Sequence, residues 1–178
     1  AGEIQVTIPP WHHRNSLKLL DRGALQCNEA FAAVLNLSEE AQIAQRELIT
    51  LSKKLNLSSQ QQFHLNGISQ GNTMYVKVTH QYHTQLFTAL GEMRKSAEQI
   101  ADHLAKDVNL YLSSQAVVDE YLADQLLLPL ALGQGGEFTT QCISEHTLTQ
   151  AAMIEKFINC EIEFVELNPN HFHVKVKV

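Results

Sequence analysis

The segment Ile143-Ser144-Glu145-His146-Thr147-Leu148-Thr149-Gln150 places a histidine between a strand-like run and a helical pattern. A histidine there has four ordinary uses: packing, capping, metal ligation or catalysis. If the helix opens near Ser144 to His146, its unpaired N–H groups and positive dipole end favour an anion such as phosphate. The same field opposes imidazolium, which keeps a neutral ring available as a nucleophile toward phosphorus. Position alone leaves all four uses open.

Upstream, Asp119-Glu120-Tyr121-Leu122-Ala123-Asp124-Gln125 opens a second helical pattern. Leu122, Leu126 and Leu130 form its apolar stripe, the ordinary amphipathic reading. Tyr121 stands three and four residues before Asp124 and Gln125, so the three share a helix face. An aromatic ring beside a carboxylate and an amide suits a planar heterocycle by stacking and hydrogen bonding, although such a set is also common on plain helix surfaces. Other histidines read more simply. His171 and His173 share one face of a strand, with no third zinc ligand nearby in sequence. His12, His13, His80 and His83 are expected to be solvated.

These residues need elements to hold them. Ile4, Val6 and Ile8 alternate with polar residues and predict a strand over 3–8, ended by Pro9-Pro10. Further on, the patterns predict a helix over 117–132, kinked at Pro129, and a strand over 137–142. A helix over 147–158 and a hairpin over 161–167 and 171–178 follow. Together they make a βαβαββ unit with two helices on a four-stranded sheet, formed by residues 1–16 and 114–178. Residues 17–113 read as a smaller inserted α/β domain: a strand over 25–35, a helix from Ser38 to about Leu55, and strands over 62–65 and 73–79. A short apolar run over 86–90 and a helix from Ser96 complete it, the last carrying Ile100, Leu104, Val108 and Leu112 on its apolar face. The fold class is α+β, an α/β sandwich.

Composition bounds the rest. A chain of 178 residues with 44% hydrophobic content is globular, and its longest apolar stretch is far shorter than the roughly 20 residues of a membrane span. No membrane partner is expected. Cys27, Cys142 and Cys160 are widely spaced and form no C-x-x-C pair, which fits a reducing, cytoplasmic setting. A net charge of −6 does not suggest a standalone nucleic-acid clamp, so any contact with RNA is expected from a local patch or from a basic surface elsewhere.

The run Tyr121-Leu122-Ala123-Asp124-Gln125, then Gly136-Glu137-Phe138, then Ser144-Glu145-His146-Thr147-Leu148-Thr149 resembles the C-terminal signature of the RNA 3'-terminal phosphate cyclases. Residues 69–78 and the helix start Ser96-Ala97-Glu98 resemble that family's inserted domain. The resemblance implies an ATP-dependent enzyme that converts an RNA 3'-phosphate end to a 2',3'-cyclic phosphate through a histidine–AMP intermediate. Carried over, His146 is the nucleophile, and Tyr121, Leu122, Ala123, Asp124 and Gln125 line the adenine end. ATP and Mg²⁺ or another divalent metal are the implied cofactors, and no metal-ligating residue is assigned in this chain. The family's N-terminal half, with further copies of the unit and a glycine-rich motif, is not part of this sequence. It is an expected partner, without which the chain is expected to be inactive. The alternative is a non-catalytic relative acting as an RNA or ribosome-assembly binding module. Three positions depart from the family pattern or bear on it. Gln150 stands where asparagine is usual, Glu145 adds negative charge, and Phe87-Thr88 falls where the family places an aromatic against the nucleotide.

Overall fold

The computed structural model describes residues 3–9 and 15–178. It divides into two compact units, one formed by residues up to Asp21 together with Ser114–Val178, the other by Arg22–Ser113. His12, His13 and Pro10 lie outside the described residues.

The first unit is a βαβαββ arrangement: β1 (Leu17–Leu19), α3 (Glu120–Leu132), β6 (Gly136–Thr140), α4 (Glu145–Phe157), β7 (Glu161–Asn168) and β8 (His171–Lys177). The order across the sheet is β1-β6-β8-β7. β1 runs parallel to β6, and β8 pairs antiparallel with both β6 and β7. The connection from β6 through α4 to β7 is therefore a split βαβ, with β8 filling the gap. The first strand is not where the alternation placed it. Residues 3–9 take no strand pairing and lie exposed, with Ile4 at 91% and Ile8 at 83%. Alternation marks a half-buried strand only where a neighbouring edge accepts it, and that edge of β6 is taken by Leu17–Leu19, residues the sequence assigned to the inserted domain.

One face of this sheet carries both helices. Phe138, Val174, Val176 and Ile162 meet Ala123, Leu127, Leu130, Ala151 and Ile154 in a single core. Each large side chain removed from water contributes roughly 1.5–3 kcal/mol. The buried stripe of α3 is centred on Ala123, Leu127 and Leu130, while Leu122 and Leu126 pack at its margin. The opposite face of the sheet is charged. Glu137 meets Lys18 at 2.9 Å and His173 at 3.1 Å, and Lys177 pairs with Glu161 and Glu163.

The second unit is a four-stranded sheet ordered β3-β2-β4-β5, from β2 (Leu25–Leu35), β3 (Ser59–Leu65), β4 (Gly71–His80) and β5 (Thr84–Leu90). α1 (Ile43–Ser52) and α2 (Ala97–Ser113) pack on one face. The helix expected from Ser38 is interrupted: a single 3-10 turn over Glu39–Ala41 ends at Gln42, whose φ of 47° is left-handed, and α1 begins afterwards. On α2, Leu112 is only partly buried, and Tyr111 takes the core position beside Val108.

Two sequence expectations are corrected here. His80 is 5% exposed, not solvated, because strand alternation turns it inward beside Tyr111. His83 is half-buried and bonds Gln85 at 3.3 Å. Burial, with Arg22 and His83 adding positive charge nearby, lowers the His80 pKa from 6.5 to about 4. Between those values the unfolded chain binds more protons than the folded one, so stability falls as pH drops through that window. Full protonation removes about 3.5 kcal/mol, at about 1.4 kcal/mol per pKa unit, most of it by pH 4. Urea unfolding of the wild type between pH 7 and pH 4 is expected to show this loss in the Arg22–Ser113 unit. A His80→Gln variant is expected to show a flatter dependence, and an unchanged slope rules the assignment out.

Candidate functional site

Both helices of the first unit begin at the end of the sheet where β6 finishes. Val118 bridges Thr140 in parallel, which extends the edge begun by β1, and the chain then turns into α3. α4 follows β6 after a short loop. The buried Thr140 hydroxyl ties the two starts together: it lies 3.3 Å from the Asp119 carbonyl and 3.2 Å from the Cys142 carbonyl, its one proton shared between them.

Each helix start is capped by its own side chain. Asp119 accepts from the Leu122 N–H at 2.8 Å, and Ser144 Oγ accepts from the Thr147 N–H at 3.2 Å. Such caps are worth about 1 kcal/mol each. Ser144 Oγ also lies 3.0 Å from the Thr147 hydroxyl, and Thr147 is fully buried. The cap places α4 at Glu145, so His146 occupies the second helical position and is exposed. Glu145, also exposed, favours the helix dipole, and its charge competes with any anion bound at the same end.

Tyr121 occupies the same position on α3 and is 63% exposed. Gln125 is exposed, and Asp124 is half-buried toward α4. Ala123 is fully buried and Leu122 packs on the core, so these two hold α3 down, while Tyr121 and Gln125 face outward and Asp124 faces α4.

The structure brings the two sequence segments together through a residue that sequence reading flagged only as a departure. The side-chain amide of Gln150, one turn beyond His146 on α4, lies against Asp124, and its nitrogen is assigned to that side because only that orientation satisfies both residues. It donates to the Asp124 carboxylate and, at 2.7 Å, to the Asp124 backbone carbonyl. Both partners are acceptors only, which decides the orientation of the amide.

The other nucleophile-type side chains at this end are committed. Cys142 has its thiol pKa raised, first by burial and then by the Glu120 carboxylate, so it stays protonated. Ser144 and Thr147 form the cap. Phe87, the expected nucleotide-facing aromatic, is 4% exposed and packs in the core of the second unit, its ring 5.3 Å from that of Tyr111. Alternation along β5 turns it inward, and it presents no free face. Of the His171 and His173 pair, His173 is taken by Glu137, whose carboxyl the Lys18 ammonium holds below the usual range. Among the described residues, no group of three His, Cys, Asp or Glu side chains is placed to hold a metal ion.

Fold and geometry define the class: an α+β protein in which a split βαβαββ sheet carries two helices whose capped starts share one end and one set of polar side chains. The RNA 3'-terminal phosphate cyclase family model matches residues 1–164, and the chain belongs to that family. It is a cyclase-like RNA-processing protein. The match ends within β7, so β8, which joins β7 to the rest of the sheet, lies beyond it. Among the described residues no helix is long and apolar enough to cross a membrane.

Proposed function

We propose that this chain carries the adenylyl-accepting histidine of an ATP-dependent RNA 3'-phosphate cyclase. The observation that carries this reading is His146 itself: exposed at the second position of a capped helix, while Cys142, Ser144 and Thr147 around it are committed elsewhere. The lone-pair nitrogen of His146 attacks the α-phosphorus of ATP. An N–P bond forms, the bond from the α-phosphorus to the bridging oxygen breaks, and pyrophosphate leaves. The AMP then passes to an RNA 3'-phosphate, and the adjacent 2'-hydroxyl displaces it to close the 2',3'-cyclic phosphate.

The first-turn N–H groups of α4 receive phosphate charge, in keeping with helix N-termini generally. Tyr121, Asp124 and Gln125 hold the adenine end, the ring by stacking and the polar pair by hydrogen bonds. A divalent ion, Mg²⁺ or another, enters this reading only as counter-ion to the nucleotide phosphates. No residue of this chain is assigned to hold it, and no step is assigned to it. The family resemblance gives the remaining contacts to an N-terminal half, so the activity is ascribed to the chain together with that half. Three free thiols agree with a cytoplasmic setting.

The test is label uptake from ATP, with and without the family's N-terminal half supplied. Label at the α-phosphate is expected on the protein, lost in acid and stable in alkali, whereas label at the γ-phosphate is expected to leave with pyrophosphate. Failure of the complemented protein to take up α-label overturns the reading.

A further inference from the structure

We propose that Gln150 is a positioning residue, setting the register of α4 against α3 and thereby the placement of His146 relative to Tyr121. This rests on the reading of His146 as the AMP acceptor.

His146 and Gln150 are four residues apart on α4, so they share a helix face. Tyr121 and Asp124 are three apart on α3 and likewise share one. The amide of Gln150 joins these two faces directly, through the Asp124 carboxylate and, at 2.7 Å, the Asp124 backbone carbonyl. Below this link the helices meet through Ala123, Leu127, Ala151 and Ile154. Apolar contacts of that kind are non-directional and hold the helices close without choosing their axial position. A hydrogen bond to two fixed acceptors on one residue does choose it.

The link also falls where α3 is weakest. Pro129 lies inside the helix and lacks an N–H, so the carbonyl four residues back, at Gln125, has no helical donor. Kinks arise at proline, so the axis of α3 is set beside this point, and a bond to the adjacent backbone fixes its relation to α4. Gln150 makes such a bond one residue away, at Asp124. Sliding α4 by one residue shifts its side chains by about 1.5 Å. A misplacement of about 1 Å at a reacting group costs on the order of 100-fold in rate. The side-chain length matters as well, because asparagine at this position is one methylene shorter.

Gln150→Met keeps length and bulk but removes the donors. With the N-terminal half supplied, the rate of α-label transfer to this variant is expected to fall roughly 10–100-fold. The ATP concentration giving half-maximal rate is expected to move less than about threefold, because the groups proposed to bind the nucleotide remain. Gln150→Glu, which sets a carboxylate against Asp124, is expected to fall further. Nuclear magnetic resonance provides a readout independent of activity. The Gln150 side-chain amide protons are expected to be protected from exchange in the wild type, and the His146 ring signals to broaden in Gln150→Met. Label transfer at the wild-type rate in Gln150→Met, or an unprotected amide, overturns the proposal while leaving His146 as the acceptor. No label on the wild type overturns the AMP-acceptor reading, and with it the role given to Gln150.

Discussion

Replacing Gly135 by alanine is expected to cost the first unit at least about 3 kcal/mol, enough to shift its folded-to-unfolded ratio by more than 100-fold. Two effects add. Gly135 has a φ of +65°, where a non-glycine residue pays roughly 1–2 kcal/mol. A Cβ at this position also falls 2.3 Å from the Val176 carbonyl oxygen and 3.3 Å from its carbon. These are backbone atoms of β8, which is bonded on both sides, to β6 and to β7. Relief therefore requires a strand to move, not a side chain to rotate. Gly136 is under similar pressure from the Leu17 carbonyl, at 2.5 Å. Gly71 supplies the control, because a Cβ there meets nothing within 4 Å. Its alanine variant is expected to remain within about 0.5 kcal/mol of wild type. Urea unfolding gives the magnitude, and amide exchange along β6 and β8 localises it. Equal midpoints for Gly135→Ala and wild type refute this account of the turn.

The run Gly133-Gln134-Gly135-Gly136 lies between the predicted helix over 117–132 and strand over 137–142, but its tight fit against β8 was not visible in the sequence, since that depends on a strand some forty residues later in the chain. The same division runs through the whole molecule. The β7–β8 hairpin was legible as two strand patterns over 161–167 and 171–178, whereas the start of α4 was only bracketed between Ser144 and Thr147, and the Ser144 cap sets it at Glu145. The strand at 3–8 was misread because alternation cannot say whether a sheet edge is free. β1, with three residues, is too short to display any period. Val117 and Val118 were read as the start of the helix, yet Val118 bridges Thr140 in parallel and the helix begins only at Glu120. In the second unit, His80 was misjudged by residue type and Phe87 was proposed from the family resemblance, when strand parity turns both side chains inward. Within the candidate site, spacing placed His146 and Tyr121 near the starts of two helices but left their uses open, and only the family resemblance singled them out. The amide bridge from Gln150 to Asp124 could not, because it joins two helices through a packing distance that no local pattern encodes.

Substituting His146 by alanine is expected to reduce α-label transfer from ATP by at least about 1,000-fold, with folding essentially intact. The size follows from the kind of step lost. A covalent intermediate needs its nucleophile, and removing one commonly costs several orders of magnitude in rate. No neighbour is placed to substitute. The Cys142 thiol is held protonated by burial and by Glu120, Ser144 Oγ is engaged by the Thr147 N–H and hydroxyl, and Thr147 is buried. Stability is not at issue, because alanine is the best helix former and the position is exposed on a capped helix. The unfolding midpoint is accordingly expected to stay within about 0.5 kcal/mol of wild type. Binding of ATP to the complemented protein is expected to change much less than the rate, since Tyr121, Asp124 and Gln125 remain, so a binding assay run beside the labelling assay separates loss of the nucleophile from loss of the site. Tandem mass spectrometry of the labelled wild type completes the argument. An adenylyl group on the peptide containing Ser144 to Gln150, placed on His146, is the expected result. An adenylyl group on any other residue, or undiminished labelling of the alanine variant, removes His146 from the chemistry.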